Sequence, residues 1–386
     1  MSLATLWGLL KKSQTDDTLI DDEIDSKISD HNDDESAHLG ETGSLQSHKA
    51  AEIIDHVAES VVNDKIKYDS RAYNAVVAAS GGDYTNIQDA IDYVYGQGGG
   101  IVLISAGTYA LTADLVLRSN VDLEGYGQNR SLINCNGHAI VTSATLDEAD
   151  PRWEDGTDNV SMKYIGVYGG KHQMLKAQCS GVFSFCKFYN GLGTIIVDLG
   201  GGNVFENNLI IQTLAWFNTN HAQDYWGIDG REGVSSKHIN NTIQYCPKSL
   251  GVGEDAIVEG NKIYTCETGI WIEYPGAVVD GNNLSNCLDY GIYVNANEEV
   301  ISANFIMGDE RAGHYSAHDG IYVYYTTNQG YDTIITGNKI YQFVNGIHFA
   351  TSTTKNLAVG NNCRLNSTNG VLDSGTANTV ANNITS

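Results

Sequence analysis

Two stretches of the C-terminal half decide the fold: residues 260–272 read GNKIYTCETGIWI and residues 281–294 read GNNLSNCLDYGIYV. Each begins with a Gly-Asn pair, continues through an apolar segment and a cysteine, and ends in a Gly-Ile unit with alternating apolar residues. Alternation with a period of two is typical of a β-strand with one buried face. Because the stretches are offset by about 21 residues, they predict successive turns of one repeating structure.

The polar-Asn unit recurs often enough along the chain to build a whole domain. Five of its seven intervals are 20 to 23 residues long, which is the size of a coil with three short strands. Stacked coils place equivalent residues roughly 4.8 Å apart, so a repeated asparagine can bond amide to amide along a turn. We expect a solenoid with a structural asparagine column at Asn207, Asn241, Asn261, Asn282, Asn304, Asn338, Asn361 and Asn382.

A second column should be formed by Cys246, Cys266 and Cys287, each five residues beyond one of these asparagines. The spacing would permit disulfides, but three members cannot all be paired. Cysteine also packs well as a small hydrophobic residue. We therefore expect a reduced stack inside the solenoid.

The segment at residues 84–94, YTNIQDAIDYV, predicts a short amphipathic helix that ends at residues 98–100, and strand-like runs follow over residues 101–133. This order closely resembles the opening of the pectate lyase-like β-helix superfamily, in which a helix covers the open end of the solenoid. The resemblance implies an all-β fold over residues 71–386, a single-stranded right-handed parallel β-helix with an N-terminal capping helix. The helix residues that should face the core are Ile87, Ala90, Ile91 and Val94.

Composition and charge exclude several classes of partner. The net charge of −25 argues against nucleic acid and against anionic membrane surfaces, which require clustered Lys and Arg. No apolar run is long enough for a membrane span, and Leu3–Leu10 is too short for the core of a signal peptide. Seven cysteines, an odd number, do not suggest a complete disulfide framework. We expect folding in a reducing compartment without a signal peptide, as for proteins assembled into virions.

Residues 1–70 differ from the rest of the chain and predict a short, acidic helical neck that precedes the β-helix. Residues 1–60 contain 14 Asp and Glu against four Lys and Arg, with two narrow helical stripes that need partner helices. The alternative is a solvated tail. The partner helices can come from other copies of the chain, so the stripes favour a neck that forms a homotrimer and docks onto a larger assembly. Residues 30–38, DHNDDESAH, resemble a motif near the start of phage tail-fibre proteins, which implies attachment to other virion proteins. The histidines match no standard zinc spacing: His31, His38, His48 and His56.

Two intervals of the repeat, Asn207 to Asn241 and Asn304 to Asn338, are 34 residues long and therefore contain insertions. In both, at least part of the excess precedes the Gly-Ile strand, so both insertions should leave the same corner of the solenoid. We expect their bases to lie three coils apart, roughly 14 Å, which would wall a groove wide enough for an oligosaccharide.

The first insertion, residues 216–232, reads WFNTNHAQDYWGIDGRE and is rich in residues that act on glycans. Aromatic faces stack on sugar rings, paired carboxylates divide acid and base roles, and arginine orients or neutralises an acidic sugar. The residues of this segment that we expect to bind substrate are Trp216, His221, Asp224, Trp226 and Arg231.

Residues 225–232, YWGIDGRE, resemble the Tyr-Gly-Phe-Asp-Pro-His-Glu region of β-helical mannuronan epimerases. This chain has Gly230 and Arg231 where that motif has Pro and His, and the missing His serves proton transfer in the family. The alternative is that these carboxylates are turn and loop residues. The resemblance implies four catalytic candidates, with the last one coil later: Tyr225, Asp229, Glu232 and Asp255.

Outward positions of successive Gly-Ile units should form an exposed stripe of Trp271, Tyr293, Tyr322 and His348. Such a stripe is either a sugar-binding surface or a contact between subunits. We include five residues from this region among the substrate-binding candidates, and no pattern indicates a cofactor or a metal. These five are Trp271, Glu273, Tyr274, Tyr322 and Tyr324.

The leading functional hypothesis is a homotrimeric phage tailspike-like appendage of the virion tail, which binds a cell-surface polysaccharide. One version of this hypothesis adds that the protein depolymerises the polysaccharide. Two alternatives stay open. One is a free β-helical polysaccharide lyase, epimerase or hydrolase. The other is a structural or adhesive solenoid without turnover.

Overall fold

The computed structural model describes residues 73–142, 157–170, 175–177, 179–191, 193–220, 222–309, 318–325 and 331–385. Within these residues the chain is a right-handed parallel β-solenoid of about 11 turns, which confirms the predicted fold class. The predicted neck, its histidines and the tail-fibre-like motif lie outside the described residues, so they remain predictions.

Short strands make up most of the described chain. Two helices accompany them, α1 at Ile87–Gly96 and α2 at Leu214–Asn220. The described strands are β1 Ala75–Val77, β2 Gly100–Ile104, β3 Gly107–Ala110, β4 Leu115–Val116, β5 Val121–Gly125, β6 Ser131–Asn134, β7 Ile140–Val141, β8 Thr157–Lys163, β9 Gly166–Tyr168, β10 Leu175–Ala177, β11 Cys179–Ser184, β12 Lys187–Tyr189, β13 Ile196–Asp198, β14 Val204–Glu206, β15 Leu209–Ile211, β16 Trp226–Val234, β17 Lys237–Ile239, β18 Thr242–Gln244, β19 Lys248–Glu254, β20 Ile257–Glu259, β21 Lys262–Ile272, β22 Val278–Asp280, β23 Asn283–Val294, β24 Val300–Ser302, β25 Phe305–Gly308, β26 Asp319–Val323, β27 Ile334–Thr336, β28 Lys339–Tyr341, β29 Asn345–Phe349, β30 Leu357–Val359, β31 Asn369–Asp373 and β32 Thr379–Ala381.

Each coil contributes strands to three faces. The first face is a 13-stranded sheet in the order β1-β2-β5-β8-β11-β14-β17-β20-β22-β24-β27-β30-β32. The second and third faces join into one 19-stranded sheet, because strands such as β21 and β23 run around the corner between them. One coil thus runs from β20 on the first face into β21, whose first half lies on the second face and whose second half lies on the third.

The core follows from alternation along each face. In the coil built from β20 and β21, Val258, Ile263, Ile270 and Ile272 all point inward and are fully buried. Each stacks on its counterpart in the next coil, as Ile270 does on Ile292. A continuous apolar core therefore runs the length of the described solenoid.

Helix α1 covers the N-terminal end of the solenoid, as predicted. Its N-cap Asn86 accepts a hydrogen bond from the backbone N–H of Gln88 at 2.7 Å, and the Gln88 side chain bonds both backbone groups of Val116. The solenoid begins before the helix, because β1 already pairs with β2. The predicted core-facing residues are all buried: Ile87, Ala90, Ile91 and Val94.

The asparagine column is present, with a correction at both ends. Asn208 and Asn383 belong to it, and the predicted Asn207 and Asn382 do not. Both excluded residues have left-handed backbone, with φ of 56° and 55°, and form the corner just before the column. Because the chain has two consecutive asparagines at each place, the repeat interval could not separate the corner residue from the inward one.

The cysteine column is buried and its described members form no disulfide bond, as predicted. The Sγ atoms of Cys266 and Cys287 lie 3.6 Å apart, well beyond the roughly 2.05 Å of a disulfide bond. Cys186 is buried in the same apolar core, and burial raises its pKa to about 12, so this thiol is protonated and unreactive at neutral pH.

Both insertions lie between the second and third faces. The first joins β15 to β16 and contains α2, and the second lies between β25 and β26. Residues 310–317 of the second insertion, and residues 326–330 after β26, are outside the described part. The third-face order β16-β19-β21-β23-β26 places three coils between the two bases, which is four strand spacings. The separation is therefore about 19 Å rather than the predicted 14 Å.

Candidate functional site

The third face carries a continuous outward column of residues on successive strands. Strand pairing aligns Trp271 with Tyr293, Tyr293 with Tyr322, and Tyr322 with His348, so the predicted stripe exists. We call these four residues the aromatic stripe. The same register continues in the other direction to Gly251 and then to Asp229. The stripe and the first insertion therefore belong to one surface.

Rings in the aromatic stripe cover part of one another. The ring centroids of Trp271 and Tyr293 are 4.1 Å apart, and Tyr322 lies 5.0 Å from the His348 ring. Tyr290 adds a neighbouring ring, 5.5 Å from Tyr322. Since stacking occupies ring faces, the half-buried rings offer mainly their edges and polar atoms to solvent. Burial raises the pKa of Tyr293 to about 12, so its hydroxyl is a neutral donor and acceptor.

Strand β16 departs from the repeat through a bulge. Its Gly230 pairs with Val252 and its Val234 pairs with Glu254, so three residues oppose the single Gly253. The extra length projects Arg231 and Glu232 from the face. A Cβ atom on Gly253 would lie 1.9 Å from the backbone oxygen of Gly233, so the bulge can form only over a glycine.

Two ion pairs surround Trp226 at this end of the face. Arg231 donates from Nε and Nη2 to the two carboxylate oxygens of Asp229, at 2.8 and 3.0 Å. Lys248 Nζ lies 2.5 Å from Asp224 Oδ1. Both cations also lie over the Trp226 ring, at 4.4 Å for Arg231 and 5.0 Å for Lys248. We call these five residues the charged cluster.

Trp226 supports the charged cluster from below. Only 2% of its surface is exposed, so its ring face is covered by the two cations and is not open to a sugar. Lys248 also lies 4.5 Å from the Trp271 ring, which links the charged cluster to the aromatic stripe. The pKa of Asp224 is lowered because the hydrogen bond and charge of Lys248 outweigh partial burial.

Carboxylates flank the beginning of the aromatic stripe. Glu273 accepts hydrogen bonds from Trp271 Nε1 at 2.5 Å and from Asn295 Nδ2 at 3.0 Å, so its orientation is fixed. Glu232 is exposed on the bulge, and the Tyr274 hydroxyl donates to its Oε1 at 3.5 Å. The structure thus brings Glu232, Glu273 and Tyr274 to one side of the stripe.

Other predicted residues lie at the edges of this surface. Tyr225 precedes β16, and its ring centroid is 5.7 Å from that of Trp216 on α2. Asp255 is exposed at the corner towards the first face, with φ of 54° and its backbone N–H donating to Pro275 O. This corner position agrees with the turn-residue alternative for Asp255 and separates it along the strand from Asp229. His221 lies outside the described residues.

The far end of the aromatic stripe contains two histidine–carboxylate pairs. His348 Nδ1 lies 2.8 Å from Asp319 Oδ2, and Asn345 donates to the other oxygen of this buried carboxylate at 2.6 Å. On the preceding coil His318 Nε2 lies 3.0 Å from Asp289 Oδ1. Burial raises the pKa of Asp289, although the charge of His318 opposes this. Tyr324 stacks on Tyr322 at 5.9 Å in the same region.

Sequence reasoning missed several residues of this surface, of which Lys248 is the most important. Its strand, β19, contains no Gly-Ile unit, and that unit is the pattern by which the coils are aligned in the sequence. In the structure, Lys248 pairs directly with Trp226 and Thr268. Counting two residues back from Leu250 would have found it. Also missed were Asp289, Tyr290 and Asn295.

The donor sets of the described residues do not resemble a metal centre, since no three His, Cys, Asp or Glu side chains converge among them. Neither described helix is long and apolar enough to cross a membrane. The surface instead combines aromatic edges, tyrosine hydroxyls, fixed carboxylates and two paired cations. Such groups can hold a hydroxyl-rich ligand and can transfer protons at its oxygens.

Comparison with solved structures finds the same architecture in proteins that act on or bind polysaccharides. The A-module of mannuronan C-5 epimerase AlgE6 from Azotobacter vinelandii has a TM-score of 0.58 and 19% identity, over 77% of this chain and 93% of that one. A tailspike protein mutant of E. coli bacteriophage HK620 in complex with a pentasaccharide has a TM-score of 0.56 and 15% identity, over 77% of this chain and 61% of that one. At such identities the similarity shows the fold.

The sequence itself also matches a family. No curated protein matches it significantly. The family described as right handed beta helix region matches residues 174–318 and 231–385, which together make up more than half of the chain. The chain therefore belongs to the right-handed β-helix family.

Proposed function

We propose that the protein binds a cell-surface polysaccharide along its third face, as part of a phage tailspike-like receptor-binding appendage. The observation that carries this proposal is the continuity of the surface, from the charged cluster through Gly251 to the aromatic stripe. Six aligned strand positions, from Asp229 to His348, are separated by five strand spacings and span about 24 Å, the length of a short oligosaccharide. The polysaccharide ligands of β-helix proteins with the same fold support the assignment.

The binding surface is tested by measuring affinity for purified bacterial surface polysaccharides. Trp271→Ala removes a half-buried ring that contacts Tyr293, Lys248 and Glu273, and we expect at least a tenfold loss of affinity, about 1.4 kcal/mol. Tyr189→Ala is the matched control, because Tyr189 stacks on Tyr168 at 5.2 Å on the second face. Equal losses in the two variants would contradict a third-face site.

The proposal extends to depolymerisation of the polysaccharide, with carboxylates of the first insertion and of the next coil as acid and base. In a hydrolase, one carboxyl group protonates the glycosidic oxygen while the other activates water or attacks the sugar. The candidates are Asp229, Glu232 and Asp255, with Tyr225 beside them. If the protein releases reducing ends or unsaturated sugars and Asp229→Asn, Glu232→Gln and Asp255→Asn all keep that activity, the assignment is wrong.

Homotrimer formation and attachment to other virion proteins through residues 1–70 complete the proposal. The mass of the full chain in solution tests it, and we expect three times the chain mass of 41.7 kDa. A monomer that still binds or cleaves polysaccharide would favour the alternative of a free β-helical enzyme. Binding without turnover at any pH would favour an adhesive solenoid.

A further inference from the structure

We infer that the glycan segment held on the aromatic stripe is uncharged, with no carboxylate, sulfate or phosphate groups on the sugars that contact it. The inference rests on the proposed function and names the substrate class of the same site. It concerns the coils from β21 to β29, which carry Trp271, Tyr293, Tyr322 and His348.

The first argument is the charge of the chain that forms these coils. Residues 262–349 contain ten Asp and Glu but only three Lys and Arg, namely Lys262, Arg311 and Lys339, and the two lysines begin strands of the second face. On the third face itself, residues 268–272 and strands β23, β26, β29 and β31 contain no Lys or Arg. A polyanion laid along these strands would meet carboxylates such as those of Glu273 and Asp289, and no Lys or Arg from the same strands.

The second argument is the state of the two cations nearest the stripe. Arg231 is held by both oxygens of Asp229, and Lys248 lies between the Trp226 and Trp271 rings with Asp224 as its partner. The charge of each cation is therefore already balanced by a carboxylate of the protein, which weakens its attraction for an acidic sugar. The exposed carboxylate of Glu232 on the same bulge would add repulsion.

The third argument is what the surface does offer. Glu273 is a fixed acceptor oriented by Asn295, and at the far end the buried Asp319 holds the ring of His348. Neutral tyrosine hydroxyls and ring edges lie between them, and burial keeps the pKa of Tyr293 at about 12. Sugar hydroxyls donate to carboxylates, and their C–H faces pack on aromatic edges. This combination fits hexoses and N-acetylated amino sugars.

The test uses the full-length wild-type protein, so no variant has to fold for its main result. Binding is measured against purified bacterial surface polysaccharides, half of them uncharged and half acidic. Alginate, a polyuronate, and carboxyl-reduced alginate form a matched pair with one backbone. Each measurement is repeated at about 0.05 M and about 0.5 M NaCl, which shortens the screening length severalfold.

We expect the binders to be uncharged polysaccharides, with affinities that change less than about twofold between the two salt concentrations. Carboxyl-reduced alginate should bind at least as well as alginate. An acidic polysaccharide that binds tightly, weakens more than about tenfold with salt and is lost in Trp271→Ala would overturn the inference but leave the proposed function standing. If no polysaccharide binds, the proposed function itself fails.

Discussion

The asparagine column and the third face around β16 are built from the same coil, yet they treat buried polar groups in opposite ways. In the column, Asn282 accepts from Asn261 and donates to Asn304, and its backbone N–H is bonded as well. Beneath the β16 bulge, neither ring nitrogen of the buried His238 has a hydrogen-bond partner among the described residues. The asparagine column therefore satisfies its buried polar groups, whereas the coil beneath the bulge leaves the His238 ring nitrogens unsatisfied among the described residues.

This difference indicates that the asparagine column serves stability, whereas the bulge of β16 serves the shape of the surface. The bulge that projects Arg231 and Glu232 interrupts strand pairing and lies over the buried polar groups of Asp198 and His238. Irregularity of this kind is destabilising unless it serves a site. The comparison therefore predicts that variants in the column affect stability, whereas variants at the bulge affect the surface more than stability.

The largest expected effect is the loss of one member of the column. Asn282→Ala removes the acceptor of the Asn261 amide groups and the side-chain donor to Val258 O and to Asn304 Oδ1, which keeps only the backbone N–H of residue 282. Because these groups are buried, we expect the free energy of unfolding to fall by about 3 to 5 kcal/mol. Chemical denaturation of the full chain measures it.

Asn283→Ala is the control for this prediction, since the neighbouring asparagine is exposed on the second face. We expect it to change stability by less than about 0.5 kcal/mol. Similar losses of stability in both variants would show that a buried asparagine of the column contributes no more than an exposed one, which would contradict the proposed difference between the two regions.

The second prediction concerns the support of the bulge. Gly253→Ala places a methyl group 1.9 Å from Gly233 O and within 3 Å of two more carbonyl oxygens, so the backbone must move. We expect a loss of about 2 to 3 kcal/mol in stability together with a loss of polysaccharide affinity. Thermal unfolding and binding are measured on the same sample.

Gly201→Ala serves as the matched control, because its new methyl group would meet only Val234 O, at an ordinary 3.9 Å. It should fold and bind like the wild type. If Gly253→Ala kept full affinity despite its lower stability, the bulge would not shape the binding surface.

Periodicity explains why the column could be predicted and the bulge could not. The asparagines at 261, 282 and 304 recur at the length of a coil, so local sequence contains their role. The error at Asn207 and Asn208 arose because both positions carry the same residue. The Arg231–Asp229 pair depends on a bulge, and the bulge depends on Gly253 one coil later. A non-local condition of this kind leaves no periodic signal.

The third prediction concerns the pH dependence of stability, which the titratable side chains beneath the bulge should cause and the asparagine column should not. Burial raises the pKa of Asp198 from 3.8 to about 6, so the folded chain binds this proton more tightly than the unfolded chain does. The protonated carboxyl group therefore contributes fully to the free energy of unfolding below about pH 4, and this contribution is lost as the pH rises through about 6. We compare the free energy of unfolding of Asp198→Asn with that of the wild type. The difference should shift in favour of the variant by about 1 to 2 kcal/mol between pH 4 and pH 7.

His238 provides the opposite slope and therefore a control. Burial lowers its pKa from 6.5 to about 4, so stability is lost as the pH falls from 6.5 towards 4. Relative to the wild type, His238→Gln should become more favourable as the pH falls over this window. If the stabilities of the two variants relative to the wild type changed with pH in the same direction, the opposite pKa shifts of Asp198 and His238 would be contradicted.

The smallest effect on stability is expected at the surface of the bulge. Arg231→Lys keeps the charge but cannot reproduce the two parallel hydrogen bonds to Asp229, and both side chains are partly exposed at 29% and 21%. We expect less than about 1 kcal/mol in the free energy of unfolding, since partly exposed ion pairs contribute little. Polysaccharide affinity should nevertheless fall several-fold, because Asp229 loses its fixed orientation next to Trp226. A variant that loses stability but keeps affinity would place Arg231 with the asparagine column, as a structural residue, and would remove the charged cluster from the binding surface.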